Sequence, residues 1–167
     1  MFERILAGFD GSVHSRLAVE VAIELAGRLQ STLTIVVVRP PVQGEEAARL
    51  EALVPMSEDG RTFVTLLEEF RERALAHGAR AVEPVTLYGE ALESLLGFLS
   101  QNPHDLVVVG SRGLTRSRRL LLGSVSSGLV NSAHCPVLVV RPPPSPPARP
   151  TAGGEGVPPG PPAGKVD

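Results

Sequence analysis

Gly110-Ser111-Arg112-Gly113, then nine residues, then Gly123-Ser124 is the segment of this chain best suited to hold an anion. Glycine lets a backbone pass close to a phosphate. The N–H groups at a helix start, with the helix dipole behind them, favour negative charge. Ser124 is placed to cap the helix that opens there and to offer its hydroxyl to a phosphate oxygen. Arg112, Arg116, Arg118 and Arg119 crowd the same loop, and no acidic residue occurs between Asp105 and Glu155. This is the chemistry of a phosphate cradle. A glycine pair after a strand also serves as a plain turn, and charged loops are commonly just solvated, so residue chemistry alone leaves both readings open.

Other sites fail on spacing. A Walker loop needs a Lys on the phosphates, but the chain has 15 Arg and one Lys, Lys165, in a Pro/Gly-rich segment. The first turn, Gly8-Phe9-Asp10-Gly11, is not a G-x-G-x-x-G dinucleotide turn. Gly123-Ser124-Val125-Ser126-Ser127-Gly128 misses the G-x-S-x-G nucleophile elbow by one place. His14, His77, His104 and His134 lack metal-ligand spacing, and Cys135 does not complete a set. His134-Cys135 is expected to pack at a helix-to-strand corner. Glu68, Glu69 and Glu72 are expected on a solvated helix face.

The elements that must position the cradle alternate along residues 1–142. Apolar runs at 5–9, 33–38, 82–87, 106–109 and 137–140 read as strands, the third despite Pro84. Between them, helical spacing predicts helices over 15–29, 63–74, 92–99 and about 124–133, with Ser12 as N-cap of the first and Gly78 stopping the second. A short helix is expected near 45–53. Strands alternating with helices predict a single α/β domain: an open parallel five-stranded sheet with helices on both faces, Rossmann-like in build. Ligands of such sheets sit outside the carboxyl ends of the strands, where strand order reverses. The turns after Phe9, Val38 and Val109 are therefore the places to look. Residues 143–167 hold nine Pro and five Gly without apolar periodicity and read as a flexible tail.

The glycine spacing matches in full the G-x2-G-x9-G-[ST] signature of ATP-binding universal stress proteins. Ile5-Leu6 through Asp10-Gly11-Ser12, Asp105 through Ser111, and Cys135-Pro136-Val137-Leu138-Val139-Val140-Arg141 also resemble that family, over roughly residues 2–141. The resemblance implies strand order 3-2-1-4-5, with the switch between strands one and four. It implies that Asp10 meets a ribose, where the alternative for Asp10 is a turn-forming residue. It places the main chain of Gly8 and Phe9 along the adenine side and the backbone of Val38 at the adenine edge. Gly110, Arg112, Gly113, Gly123, Ser124, Val125 and Ser126 would hold the phosphates of ATP, which would recruit Mg²⁺ through their oxygens. It further implies a homodimer through the edge strand Val137 to Val140.

Composition agrees with a soluble domain of this kind. Net charge is −2, so no global field attracts nucleic acid or anionic membranes. One Tyr, five Phe and no Trp leave no base-stacking platform for single strands. One Cys allows no intrachain disulfide, no signal-peptide pattern opens the chain, and no apolar run reaches membrane-spanning length, which reads as cytoplasmic. The expected function is nucleotide-dependent regulation in a stress response, at most with slow ATP hydrolysis. The alternatives are an α/β enzyme of adenylyl or phosphoryl transfer and a ligand-free interaction module. The protein clients are not legible in the residues.

Overall fold

Nine elements succeed one another in the computed structural model, which describes residues 2–39, 60–113 and 122–143. They are β1 (Arg4–Gly8), α1 (Val13–Leu29), β2 (Thr32–Arg39), α2 (Phe63–Ala76), β3 (Ala81–Tyr88), α3 (Ala91–Gln101), β4 (Leu106–Gly110), α4 (Ser124–Ser132) and β5 (Val137–Val140). The expected short helix near 45–53, the arginines at 116, 118 and 119, and all but the first residue of the expected tail lie outside the described residues.

The strands form one parallel sheet in the order β3-β2-β1-β4-β5. Because side chains alternate along a strand, each strand feeds two cores. Ile5, Ala7 and Phe9 join Ala18, Val19, Ala22, Ile23 and Ala26 of α1 and Leu66, Phe70 and Ala74 of α2. Leu6, Val36, Val107 and Val109 join Leu95 of α3 and Leu129 of α4 on the opposite face. Helices therefore cover both faces, which explains why β1, β2 and β4 read as unbroken apolar runs. Leu129 is fully buried; truncating such a leucine to alanine costs about 2–5 kcal/mol.

Local signals set the boundaries. Ser12 caps α1, its side chain accepting the Ser15 N–H, and Thr62 caps α2 by accepting the Thr65 N–H. Pro84 is tolerated because β3 is an edge strand, where a missing N–H need not break a ladder. Asp105 pins the opposite end of the sheet: one carboxylate oxygen accepts the N–H groups of Glu3 (2.7 Å) and Arg4 (2.9 Å). Those two donors hold its pKa below the usual carboxylate value, chiefly the Arg4 N–H. No helix among the described residues is long and apolar enough to cross a membrane.

Candidate functional site

Strand order reverses between β1 and β4, and the turns leaving these two strands meet there. The last residue of β4 approaches α1 so closely that a Cβ on Gly110 would lie 2.6 Å from the carbonyl carbon of His14. Three residues on, a Cβ on Gly113 would lie 2.5 Å from Asp10 Oδ2. At Gly110 the neighbour is backbone and leaves no room for a side chain, whereas at Gly113 it is the end of the Asp10 side chain. Asp10 and the glycine loop, predicted from separate stretches of sequence, thus face each other across the crevice.

Asp10 is fixed by its own turn. Its Oδ1 accepts the Ser12 N–H at 3.0 Å, and its N–H donates to Ser15 Oγ at 3.3 Å. Ser15 Oγ in turn donates to the Ser12 carbonyl at 3.0 Å. The turn-forming role of Asp10 is therefore realised, while Oδ2 lies toward Gly113. Phe9 is only 3% exposed, and its ring packs against Phe63 and Phe70 at centroid distances of 5.2 and 5.3 Å. Its side chain therefore belongs to the core, and only its main chain is left for a ligand. Gly8 closes β1, in register with Val36 and under the Val109 side chain.

The β1–β2 ladder ends at Gly8↔Val36, where the Val36 carbonyl accepts the Phe9 N–H at 2.8 Å. Backbone groups two residues apart on a strand point the same way. Those of Val38 are therefore directed to the β1 side, past the last paired residue of that ladder. The opposite edge of β2 remains paired through Val38↔Leu87 and Arg39↔Tyr88.

The phosphate-side residues gather at the start of α4. Gly123, not Ser124, is the N-cap: its backbone is extended (ψ 165°) and its carbonyl accepts the Ser127 N–H. Ser124 is the first helical residue and exposed, so the capping role expected of it is not realised. No side chain among the described residues caps this helix. Ser126 is buried, and its hydroxyl donates inward to the carbonyls of Ser111 (3.3 Å) and Gly123 (3.1 Å). Its backbone N–H, at the third helical position, has no partner inside the helix. Val125 is half-buried against the α3–α4 core. Arg112 is exposed, its Cα 3.5 Å from where a Gly123 Cβ would sit.

Sequence reasoning missed His14 and Ser15. His14 was set aside for lack of metal spacing, yet its Nδ1 is hydrogen-bonded to Ser111 Oγ at 3.1 Å. The available signal was its place in the first turn of a helix opening at the strand-end crevice. His134, expected to pack with Cys135, is exposed, whereas Cys135 is half-buried against the second core and burial pushes its thiol pKa up. Glu68 and Glu72 are solvated as expected, and Glu69 is half-exposed beside Arg61. An open groove of about 460 Å³ lies elsewhere, between α1 and α2. The Glu20–Arg73 ion pair spans it and Glu24 pairs with Arg28, so its polar groups are engaged with one another.

The sequence profile of the universal stress protein family matches residues 1–141. The universal stress protein YxiE of Bacillus subtilis is 32% identical over 84% of this chain and 100% of its own length. Among solved structures, the universal stress protein UspA from Lactobacillus plantarum superposes with a TM-score of 0.70 at 23% identity, covering 84% of this chain and 98% of that one. A universal stress protein crystallised in complex with cAMP superposes with a TM-score of 0.65 at 28% identity, covering 83% and 97%.

Proposed function

We propose that this chain, which belongs to the universal stress protein family, binds ATP in the crevice between β1 and β4 and acts as a nucleotide-dependent regulatory protein. The observation that carries the reading is the meeting of Gly113 with Asp10, close to a helix start whose N-cap, Gly123, has no side chain. Asp10 would accept from the ribose hydroxyls through Oδ2. The main chain of Gly8 and Phe9 would line the adenine, and Val38 would offer its N–H and carbonyl to the base edge. Gly110, Arg112, Gly113 and Gly123 would surround the phosphates, with the N–H groups of Ser124, Val125 and Ser126 directed at them by the helix start. The relative bound to cAMP supports an adenine nucleotide as the ligand class.

Mg²⁺ would enter with the phosphates. No group of three or more His, Cys, Asp or Glu among the described residues is spaced to hold a metal. The ion would therefore keep phosphate oxygens and waters as ligands, which its preference for hard oxygen donors permits. Binding is favoured over turnover because Asp10 Oδ2, the acceptor toward the cradle, would be taken by the ribose, and Ser126 Oγ is committed to two carbonyls. A second copy would pair along β5, which lies at the sheet edge. The ligand test is direct. Purified full-length protein, denatured and filtered, is expected to release adenine nucleotide that chromatography identifies, or to bind added Mg·ATP stoichiometrically. Neither release nor binding at millimolar ATP would refute the reading.

A further inference from the structure

The polar atoms of Ser111 are engaged with three different elements. Its N–H donates to the Val140 carbonyl of β5 at 2.8 Å. Its own carbonyl accepts the Gly123 N–H at 2.8 Å and the Ser126 hydroxyl at 3.3 Å, both at the start of α4. Its hydroxyl is hydrogen-bonded to His14 Nδ1, in the first turn of α1, at 3.1 Å. Ser111 is 3% exposed, so water does not compete freely for these groups. Gly110, one residue earlier, touches the His14 backbone with no room for a side chain.

We infer that His14 is a positioning residue for the phosphate cradle, acting through Ser111. The inference rests on the nucleotide reading above. Asp10, on one side of the crevice, is tied to α1 by the Ser12 and Ser15 contacts. Gly123 and Ser126, on the other side, are tied to the Ser111 carbonyl. The His14–Ser111 bond is a side-chain link between these halves. It fixes how far the α4 N–H groups stand from the ribose acceptor. Loss of the link leaves each half folded but frees the Ser111 peptide, and with it the Gly123 N–H, to shift. Phosphate contacts need that geometry, whereas contacts to the nucleoside alone do not.

The test compares wild type, His14→Ala and His14→Asn, since an asparagine amide can occupy the place of Nδ1 and keep the bond to Ser111. Calorimetry with Mg·ATP is expected to show about tenfold weaker binding for His14→Ala, the loss of one hydrogen-bonded link, and recovery to within about twofold for His14→Asn. Adenosine should bind all three alike. Ligand-free hydrogen exchange supplies the independent readout: the Gly123 amide should exchange faster in His14→Ala and at the wild-type rate in His14→Asn. Equal ATP affinity in wild type and His14→Ala, or an Asn variant as weak as Ala, would overturn the role. If wild type binds no ATP, the site reading falls. Gly123 exchange still decides the mechanical link, and unchanged protection in His14→Ala would overturn it.

Discussion

Gly113→Ala should act through Asp10, and the size of its effect can be worked from the structure. The new Cβ would lie 2.5 Å from Asp10 Oδ2 and 3.8 Å from its Cγ. Gly113 is not among the positive-φ glycines, so alanine meets no backbone penalty and the collision is the whole cost. Relief requires the carboxylate to swing away, giving up the Ser12 N–H bond to Oδ1 at 3.0 Å, or the loop to move. A hydrogen bond to a charged group contributes about 1.5–3 kcal/mol, and a neutral one about 1 kcal/mol. Gly113→Ala should therefore destabilise the fold by about 1–3 kcal/mol. In an Asp10→Ala background the obstacle is gone. The same substitution should then be neutral, or stabilising by about 0.4–1 kcal/mol through reduced freedom of the unfolded chain. Urea denaturation followed by circular dichroism on the four proteins closes the cycle. A coupling of about 1 kcal/mol or more is expected, against the roughly 0.3–0.5 kcal/mol scatter of independent sites. An equal cost of Gly113→Ala in both backgrounds would refute the contact and the juxtaposition built on it.

Stability should fall as the medium is acidified through the range in which histidine titrates. His104 is buried, its Nδ1 hydrogen-bonded to the Asn102 carbonyl and its Nε2 to Thr34 Oγ1, and burial lowers its pKa below the usual value. Its contribution is complete above an unfolded pKa of about 6.5 and is lost as pH falls toward the lower folded value, because only the unfolded state takes up the proton. Thermal melts at about pH 7.5 and 5.5 should show a smaller drop for His104→Gln than for wild type, and equal drops would contradict this. Asp105 adds a loss of the same sign at lower pH, its folded pKa also being depressed. At the β5 edge, Val139 packs against the second core whereas Leu138 is 37% exposed. Leu138→Lys should therefore convert a homodimer to monomer by light scattering without unfolding it; a variant that stays dimeric would argue against pairing through β5.

The central strands were legible because a sheet covered on both faces forces buried, mostly apolar runs, as in Ile35 to Val37 of β2, whereas the edge strand β3 is broken by exposed Glu83 and Pro84. Helix starts were legible where a side chain makes the cap, as at Ser12. The start of α4 was misjudged because Gly123 caps with its backbone alone, which leaves no side-chain signal. Strand order came from the family resemblance: apolar runs show that strands are buried but not which of them are neighbours. Asp10 and the glycine loop were each visible in sequence, but their contact depends on the chain crossing between β1 and β4. His14 was missed for the same reason. Its partner lies 97 residues away, and nothing in the local pattern points to it.

Titration of the full-length, isotopically labelled protein with Mg·ATP, followed by amide nuclear magnetic resonance, tests the nucleotide site most directly. The largest shifts are expected at Asp10, Val38, Gly113 and Gly123 through Ser126, saturating at one equivalent, with the α1–α2 groove around Arg73 and His77 unmoved. Shifts centred on that groove, or none at the carboxyl ends of β1 and β4 at millimolar ATP, would contradict a nucleotide site in the crevice.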